Sequence, residues 1–422
     1  MSYSEKLFDF IKASPTSRHA AAEVVRRLQV AGYSALCEGK ALVPGNGYYL
    51  HSGGAVIAFR HRAECKSFNI TASHSDSPAF KLVAGKKAAS PYTRLSVERY
   101  GGAINYTWLD RPLSIAGVAV TSEGGVIRER LVDLGRDLVT VPSVPPHLNR
   151  AINDGFAPNP AVDLQPLYAI GDGDILAELA SVLSVSPEDI ISHDLYLYSR
   201  EAGRTLGASG ELILAPRIDD LASVYTALLA FLAAPDTEAT PVLAVFDHEE
   251  VGSATAEGAA SSLLNRVIAA TCTDEAARRE ALCASLMLSV DGAHALHPNH
   301  PELFSPDCHP ILGGGVAVKY NAERRYATDA LSDALLRKIA SDAKITLQNY
   351  ANRADLRGGS TLGSIAATAI GIKTVDIGIP QLAMHSIAET AAISDVMDME
   401  RLLLAFYSAE ISKCAEGYTV KL

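Results

Sequence analysis

Short apolar runs alternate along much of the chain with polar, glycine-rich turns, and their spacing predicts both strands and helices. Residues 16–31 carry apolar side chains at helical spacing and are followed by a glycine, which favours a helix that ends there. Residues 53–59 and 67–74 are apolar runs between turns, which indicates buried strands. From residue 218 onward, helical and strand patterns alternate. This alternation predicts an α/β fold with a mixed, mostly parallel sheet covered by helices on both faces.

The second half of the chain contains most of these alternating elements. The patterns predict helices at 219–234, 256–270, 327–343 and 392–415, and strands at 240–246, 285–292, 314–320, 346–351 and 373–379. A further helix is expected after the "GGSTLG" turn. Such an order of elements is that of a single α/β layer structure rather than of a repeat protein.

The stretch at 95–205 has a different character, because strands predominate in it. Two alternating runs flank Glu123-Gly124-Gly125, which signals a hairpin, and the loop "TVPSVPPHLNR" is rich in proline. At 422 residues the chain exceeds one ordinary hydrophobic core. We therefore expect a discontinuous α/β domain formed by 1–94 and 206–422, with an inserted β-rich domain at 95–205.

Composition narrows the classes of partner. The sequence is 48% hydrophobic and 20% charged, which is typical of a globular protein, and its net charge of −11 disfavours nucleic-acid binding. No apolar run reaches the ~18 residues that a membrane span needs, and charges interrupt the N-terminal segment, so neither a membrane partner nor a signal peptide is expected. The six cysteines are scattered without a CxxC pair. This cysteine usage favours the reducing cytoplasm.

Polar side chains stand where several predicted strands end. They are His74-Ser75-Asp76, Asp219-Asp220 at a helix start, Asp247-His248-Glu249-Glu250, Asp291 and His385. Charged side chains are rarely buried unless they are paired or bind a metal. In open α/β sheets, ligands bind at the carboxyl ends of strands. Two histidines and several carboxylates at such ends form a ligand set for a first-row metal.

The spacing inside two of these motifs fits hydrolytic chemistry. His74 and Asp76 point to the same side of an extended chain, so the carboxylate can orient a metal-binding imidazole. Adjacent Glu249 and Glu250 point in different directions. One can bind metal while the other faces water as a general base. The pattern therefore predicts a metallohydrolase.

Several of these residues also have a simpler interpretation. A strand-end aspartate is often a turn former. Asp219 or Asp220 could be a helix cap and have no other role. We interpret the four histidines between 294 and 309 as part of a loop, because prolines interrupt any regular spacing. The glycine runs 313–315 and 358–361 lack the lysine of a phosphate-binding loop and are read as turns. The coincidence of five polar strand ends favours the metal site.

Five motifs together resemble the aspartyl aminopeptidase family, within the clan of two-zinc aminopeptidases. In chain order they are "HSDSP", "APRIDDL", "DHEEVGS", "DGAHALHPN" and "QLAMHSIAE", and the blocks "GVAVKYNAERRYATDA" and "LRGGSTLG" also match. The resemblance runs nearly end to end. It implies hydrolysis of the first peptide bond of peptides that begin with Asp or Glu, by metal-activated water.

The resemblance also implies the metal site. It implies two divalent ions per subunit, expected to be zinc. Their ligands would be His74 and Asp291 for one ion, Glu250 and His385 for the other, and Asp219 as the bridge. In related enzymes the peptide bond after the bridging aspartate is often cis, so we expect a cis bond between Asp219 and Asp220.

Four further roles follow from the same resemblance. Glu249 would be the general base, and Asp76 would orient His74. In the loop "PPHLNRAIN", His147 would reach the active site of a neighbouring subunit, while Lys319 would contact the acidic side chain of the substrate. The family typically forms a tetrahedral dodecamer, so the inserted domain would serve oligomerisation.

The sequence leaves other functions open. The chain departs from the family pattern at residue 248, where histidine stands and asparagine is common, although this position is outside the ligand set. An aminopeptidase of broader or neutral specificity, or a deacylase on the same scaffold, would need the same metal site. A non-catalytic assembly protein is a third alternative. The complete set of ligands argues against it, since clustered carboxylates are costly without a function.

Overall fold

The computed structural model describes residues 1–37, 39–89 and 91–422. Its helices are α1 (Tyr3–Ala13), α2 (Ser17–Val30), α3 (Ile175–Leu183), α4 (Ile218–Ala233), α5 (Leu263–Thr271), α6 (Glu275–Cys283), α7 (Ala330–Asp342), α8 (Leu362–Ile370) and α9 (Ile393–Ser408). Its strands are β1 (Ser34–Ala35), β2 (Gly47–Ser52), β3 (Ala55–Arg60), β4 (Phe68–His74), β5 (Ala79–Ala89), β6 (Tyr92–Tyr100), β7 (Leu113–Glu123), β8 (Val126–Asp133), β9 (Leu167–Ile170), β10 (Ile190–Ser199), β11 (Arg204–Leu206), β12 (Leu212–Ala215), β13 (Thr240–Phe246), β14 (Leu286–Val290), β15 (Ala293–His294), β16 (Val316–Tyr320), β17 (Leu347–Ala351), β18 (Lys373–Gly378), β19 (Pro380–Leu382), β20 (Glu389–Ala392), β21 (Glu410–Cys414) and β22 (Gly417–Lys421).

The largest sheet is mixed, with a parallel centre. Within the described residues it has nine strands in the order β1-β2-β3-β13-β4-β14-β18-β16-β17. Strands β13, β4, β14 and β18 run parallel, whereas β3 and β16 pair antiparallel with this block. Every residue of β4, β13 and β14 is buried, because both faces of these strands are covered.

Helices cover both faces of this sheet, as the alternation of patterns predicts. Side chains of α1, α2, α4, α7 and α9 pack on one face, and those of α5, α6 and α8 pack on the other. Strand β3 shows how the sequence achieves this. Val56 and Ala58 join the first core, while Ala55, Ile57 and Phe59 join the second. This alternation follows from the two-residue period of a strand.

A second, antiparallel sheet carries the β-rich character predicted for the middle of the chain. Among the described strands it has the order β8-β7-β10-β5-β6-β9. The predicted hairpin is present, because Glu123 pairs with Val126 across the turn. The predicted boundary at 94/95 falls inside β6, and the sheet already begins at Ala79. We therefore propose that the inserted domain extends over residues 79–199 rather than 95–205.

A third sheet joins distant parts of the chain. In the described part of the chain its order is β11-β12-β20-β19-β15. Its strands have between two and four residues, so they leave no periodic signal in the sequence. Strand β12 leads into α4, β19 precedes His385, and β15 follows Asp291. This sheet thus gathers three of the segments that carry predicted ligands.

Two predicted helices end or begin elsewhere. The helix predicted at 256–270 starts only at Leu263, because turns occupy the residues before it, and α6 follows as a separate helix. The helix predicted at 392–415 ends at Ser408, where the hairpin of β21 and β22 begins. In the described ranges, no helix is both long and apolar enough to cross a lipid bilayer.

Candidate metal centre

Neighbouring parallel strands bring the polar motifs to one edge of the large sheet. Strand β4 ends at His74, β13 ends just before Asp247, and β14 ends just before Asp291. Because β13, β4 and β14 are adjacent and parallel, their carboxyl ends meet at this edge. Asp219 enters from the start of α4, and His385 enters from the turn after β19. The peptide bond between Asp219 and Asp220 is cis, as expected.

The orientation of His74 leaves one ring nitrogen available as a ligand. The side chain is 1% exposed, and its Nδ1 lies 3.0 Å from the carbonyl oxygen of Asp76. A carbonyl can only accept, so Nδ1 must donate. The other nitrogen, Nε2, lies 3.5 Å from Asp219 Oδ1 and 3.6 Å from Asp291 Oδ1. This is the arrangement that a metal-binding imidazole requires.

His385 has the same arrangement on the opposite side of Asp219. Its Nδ1 lies 3.3 Å from the carbonyl oxygen of Gly102 and so donates to it. Its Nε2 lies 3.5 Å from Asp219 Oδ2 and 3.4 Å from Glu250 Oε1. Asp219 therefore presents one carboxylate oxygen to each of the two histidines.

The residues of this cluster fit bound cations. Three buried carboxylate oxygens, Asp219 Oδ1, Asp220 Oδ1 and Glu250 Oε1, accept no hydrogen bond within the described chain. A buried acceptor without a partner costs about 1–3 kcal/mol, and more when it is charged. Cations would compensate that cost, and imidazole with carboxylate oxygen is a donor set that zinc accepts. Ligating atoms gather in three overlapping groups: His74, Asp219, Asp220 and Asp291; His74, Glu249 and Glu250; and Asp219, Glu250 and His385.

Asp76 holds the backbone of the glutamate pair. Its carboxylate accepts hydrogen bonds from the N–H groups of Glu249 and Glu250, each at 3.1 Å, and from the Tyr100 hydroxyl at 2.7 Å. Its Oδ1 also lies 3.3 Å from His74 Nδ1. Burial alone would raise the pKa of Asp76, but His74, Tyr100 and the backbone N–H groups lower it. Asp76 is therefore a carboxylate that connects His74 with the glutamate pair.

Glu389 is a second such carboxylate, and the sequence analysis assigns it no role. It is 1% exposed and accepts hydrogen bonds from the N–H groups of Asp219 at 2.9 Å and His385 at 2.7 Å. Burial and the charge of Asp219 raise the pKa of Glu389 to about 8. Its position inside the motif "QLAMHSIAE" was the available signal. Tyr100 was missed as well, and no local pattern marks it.

The charges of the cluster shift its pKa values strongly. Burial raises the pKa of Glu249 to about 8, and Asp291 and Asp76 add to this shift against the opposing charge of His74. Burial would lower the pKa of His385, but Asp219 and Glu250 raise it to about 10. The crowded carboxylates thus bind protons when no cation is present.

Two other predicted site residues have different surroundings. Lys319 is 2% exposed, and its Nζ lies 3.3 Å from Asp291 Oδ2 and 5.5 Å from the centre of the Tyr326 ring. His147 is exposed in the proline-flanked loop, and among the described residues no hydrogen bond or ion pair joins it to the cluster of its own chain. Lys319 therefore lies beside a candidate ligand, and His147 lies apart.

Five further histidines lie outside the three groups of ligating atoms in the described residues. Within the described residues, the histidines at 294, 297, 300 and 309 form no group of metal-ligating atoms. His248 has φ of 62°, in the left-handed region. Histidine is among the non-glycine residues that are enriched in this region, so the backbone conformation suits it.

Comparisons with known proteins agree with this geometry. Residues 10–407 match the family described as Aminopeptidase I zinc metalloprotease (M18). The chain is 37% identical over 428 residues to "Probable M18 family aminopeptidase 2" of Clostridium acetobutylicum, with 97% of this chain and 99% of the relative covered. It is 34% identical over 421 residues to the protein of the same name in Pseudomonas paraeruginosa, with 96% and 98% covered.

Solved structures show the same fold. A chain in the cryo-EM structure of the Ape4 and Nbr1 complex superposes with a TM-score of 0.92 at 30% identity, covering 96% of this chain and 85% of that one. A chain of the S. cerevisiae mApe1 dodecamer superposes with a TM-score of 0.82 at 25% identity, with 96% of each chain covered. Aminopeptidase I from Clostridium acetobutylicum superposes with a TM-score of 0.81 at 25% identity, covering 96% of this chain and 94% of that one. The chain therefore belongs to the M18 family of zinc aminopeptidases.

Proposed function

We propose that the protein is a two-zinc aminopeptidase that hydrolyses the first peptide bond of peptides beginning with Asp or Glu. The observation that carries this proposal is the position of Asp219, whose Oδ1 faces His74 and whose Oδ2 faces His385. His74, Asp219 and Asp291 would hold one cation, and His385, Asp219 and Glu250 would hold the other. Bound divalent cations would lower the pKa of water and polarise the scissile carbonyl group.

The remaining groups have complementary roles in this proposal. Glu249 is the general base, which takes a proton from water and passes it to the leaving amine. Its carboxylate lies beside the candidate ligands without being assigned as one, which is the position that a general base for metal-activated water needs. Asp76 and Glu389 hold the backbone of Glu249, Glu250, Asp219 and His385 through N–H donors.

A metal count combined with a substrate panel tests this function. Purified protein reloaded with zinc should contain two ions per chain and should hydrolyse an Asp-anilide faster than a Leu-anilide. Equal rates would favour the alternative of a broad or neutral aminopeptidase. Activity confined to N-acetylated amino acids would favour a deacylase. The absence of all three activities at full zinc content would favour a non-catalytic assembly protein.

Acidic specificity requires a positive group in a site that is dominated by carboxylates. Lys319 is the candidate, because its ammonium group is buried beside the metal cluster. Burial would lower the pKa of Lys319, but Asp291 and other neighbouring acidic groups raise it, so the group stays charged. An ammonium group has three donors, and Lys319 can therefore hold Asp291 and a substrate carboxylate together.

Lys319→Ala should reduce the preference for acidic substrates. A charge-assisted hydrogen bond contributes about 1.5–3 kcal/mol, so kcat/KM for an Asp-anilide should fall by roughly one to two orders of magnitude relative to a Leu-anilide. Zinc content is measured in parallel because Lys319 contacts Asp291. The matched control is Lys373→Ala, which removes an exposed lysine paired with Asp329 and should leave the preference unchanged. An equal slowing of both substrates would mean that Lys319 acts on Asp291 alone.

We further propose that the protein acts as a homo-oligomer, with a tetrahedral dodecamer as the expected form. The S. cerevisiae relative mApe1 is a dodecamer. The loop that carries His147 also exposes Leu148, which is 81% exposed in the isolated chain. Contact with a neighbouring subunit would remove this apolar side chain from water. The inserted domain would then complete the active site of that neighbour.

His147→Ala should lower activity without lowering zinc content. Mixed oligomers give the sharper result, because subunits carrying His147→Ala and subunits carrying Glu249→Gln are each defective in a different part of the site. If His147 acts on a neighbour, refolding the two variants together should restore part of the activity. A matched variant of an exposed histidine, His300→Ala, should stay active alone. Failure of the mixture to recover any activity would contradict the proposed role.

We place this activity in the cytoplasm, as the cysteine pattern suggests. The cysteines at 37, 65, 272, 283, 308 and 414 are free thiols. Free thiols suit a reducing compartment. Fractionation of the source cells with detection of the protein would test this location.

A further inference from the structure

Residues 100–104 leave the second sheet and reach the metal cluster. Strand β6 ends at Tyr100, and Gly101 and Gly102 follow it directly. We call residues 100–104 the crossing segment. It contacts both sides of the cluster, through Asp76 and Glu250 on one side and through His385 on the other.

The first contact is the Tyr100 hydroxyl. It donates to Asp76 Oδ2 at 2.7 Å, and the same carboxylate receives the N–H groups of Glu249 and Glu250. The ring of Tyr100 is fixed by Tyr196 of β10, with ring centres 5.5 Å apart and planes at 81°. A tyrosine held by its own sheet therefore fixes the carboxylate that positions the glutamate pair.

The second contact requires glycine at position 101. Gly101 has φ of +69°, where a side chain is strained. A Cβ at this position would also lie 3.0 Å from Glu250 Cβ and 3.3 Å from Glu250 Oε2. The crossing segment thus packs closely on a candidate ligand, and a side chain at position 101 would press on Glu250.

The third contact fixes both the side chain and the backbone of His385. The carbonyl oxygen of Gly102 accepts from His385 Nδ1 at 3.3 Å, and the N–H of Ile104 donates to the carbonyl oxygen of His385 at 3.0 Å. The first of these hydrogen bonds sets which ring nitrogen carries the proton. It leaves Nε2 to face Asp219 and Glu250.

We propose that the crossing segment is a positioning element, through which the second sheet sets the zinc affinity of the centre in the first sheet. The inference rests on the proposed two-zinc function. None of residues 100–104 is assigned a ligand or acid–base role. Partners that orient metal ligands typically contribute about 10–100-fold to metal affinity or activity when they are lost.

Zinc release to a chelator is the direct readout. Tyr100→Phe keeps the ring and its packing but removes the donor to Asp76. We expect the fully loaded Tyr100→Phe variant to release zinc about 10–100-fold faster than the wild-type protein. Tyr106→Phe is the matched control, because Tyr106 is 64% exposed and makes no described contact with the centre. It should release zinc at the wild-type rate.

Two glycine variants test the second contact in the same way. Gly101 and Gly171 both follow strands of the second sheet with positive φ, +69° and +76°, but a Cβ at Gly171 would meet no atom within 4 Å. Gly101→Ala and Gly171→Ala therefore carry the same backbone strain, and only Gly101→Ala presses on Glu250. We expect accelerated zinc release for Gly101→Ala alone.

The outcomes separate this inference from the proposed function. Zinc-free melting temperatures identify any variant that fails to fold, and Tyr100→Phe then decides the result. If Tyr100→Phe releases zinc as slowly as Tyr106→Phe, the inference is overturned, although the wild-type protein still binds zinc and cleaves peptides. If the wild-type protein binds no zinc, the proposed function itself fails. Faster release for Tyr100→Phe, with a lower kcat and a similar KM, supports the positioning role.

Discussion

Glu249→Gln should retain zinc and lose a factor of about 10²–10⁴ in kcat, which is the usual contribution of a general acid–base group. The amide has nearly the same volume as the carboxylate, so the packing of the turn is preserved. The N–H of Glu249 still donates to Asp76, which keeps the backbone in place. What the variant loses is the ability to take a proton from water. Measurements of kcat on an Asp-anilide, with zinc content on the same sample, provide the check.

Glu250→Gln is the matched comparison for this experiment. Glu250 Oε1 is buried without a hydrogen-bond partner in the described chain and lies 3.4 Å from His385 Nε2, as a ligand oxygen would. Its replacement should therefore lower zinc content together with activity. If Glu249→Gln kept near-normal turnover, or if it lost zinc as Glu250→Gln does, then Glu249 would not be the base.

Removal of zinc should abolish hydrolysis and make the stability of the protein fall with rising pH. In the cation-free site, burial raises the pKa of Glu249 and the pKa of Glu389 to about 8, and Asp219 and Glu250 raise that of His385 to about 10, all well above the usual values of these groups. Each group is thus protonated more readily in the folded chain than in the unfolded chain. The stability it contributes is complete below the unfolded pKa and is lost as pH rises through the folded pKa.

Calorimetry of the zinc-free and the reloaded protein between about pH 6 and pH 9 tests this expectation. The melting temperature of the zinc-free protein should decrease across this range. The melting temperature of the reloaded protein should decrease less, because cations replace the protons among the carboxylates. Asp219 does not reverse this decrease in melting temperature. Its histidine neighbours lower its pKa, so it titrates at more acidic pH. A zinc-free melting temperature that rises with pH would contradict the charge assignment.

The sequence predicts the parts of the site that local patterns encode. His74, Asp291 and the glutamate pair each follow an apolar strand, so the strand pattern alone brings them to one edge of the sheet. Tyr100 and Glu389 form hydrogen bonds to groups that are distant in sequence. Such contacts produce no periodic pattern in the sequence. The pattern of polar ends also marks Asp219 and His385 as candidates, but the role of Asp219 as the bridge and the assignment of each ligand to one of two ions came from the family resemblance.

The errors in the fold have a similar physical origin. Strand β5, which lies before the predicted boundary at 94/95, contains charged residues and a glycine and so lacks the apolar pattern of a buried strand, although it pairs with β6 and β10. The helix pattern at 392–415 continued past Ser408 because Ile411 also faces the core. A single buried position is compatible with either a helix or a strand. Tertiary pairing, rather than local preference, decides such cases.

The pairing of β12 with β20 has a consequence for synthesis of the protein. Ala215 lies opposite Glu389 in this pair, and Glu389 in turn holds the backbone of both Asp219 and His385. A chain still attached to the ribosome therefore lacks the strand that completes these contacts until residue 392, the last of β20, has been made. The hydrogen bonds that hold the backbone of Asp219 and His385 can therefore form only after Glu389 has been synthesised.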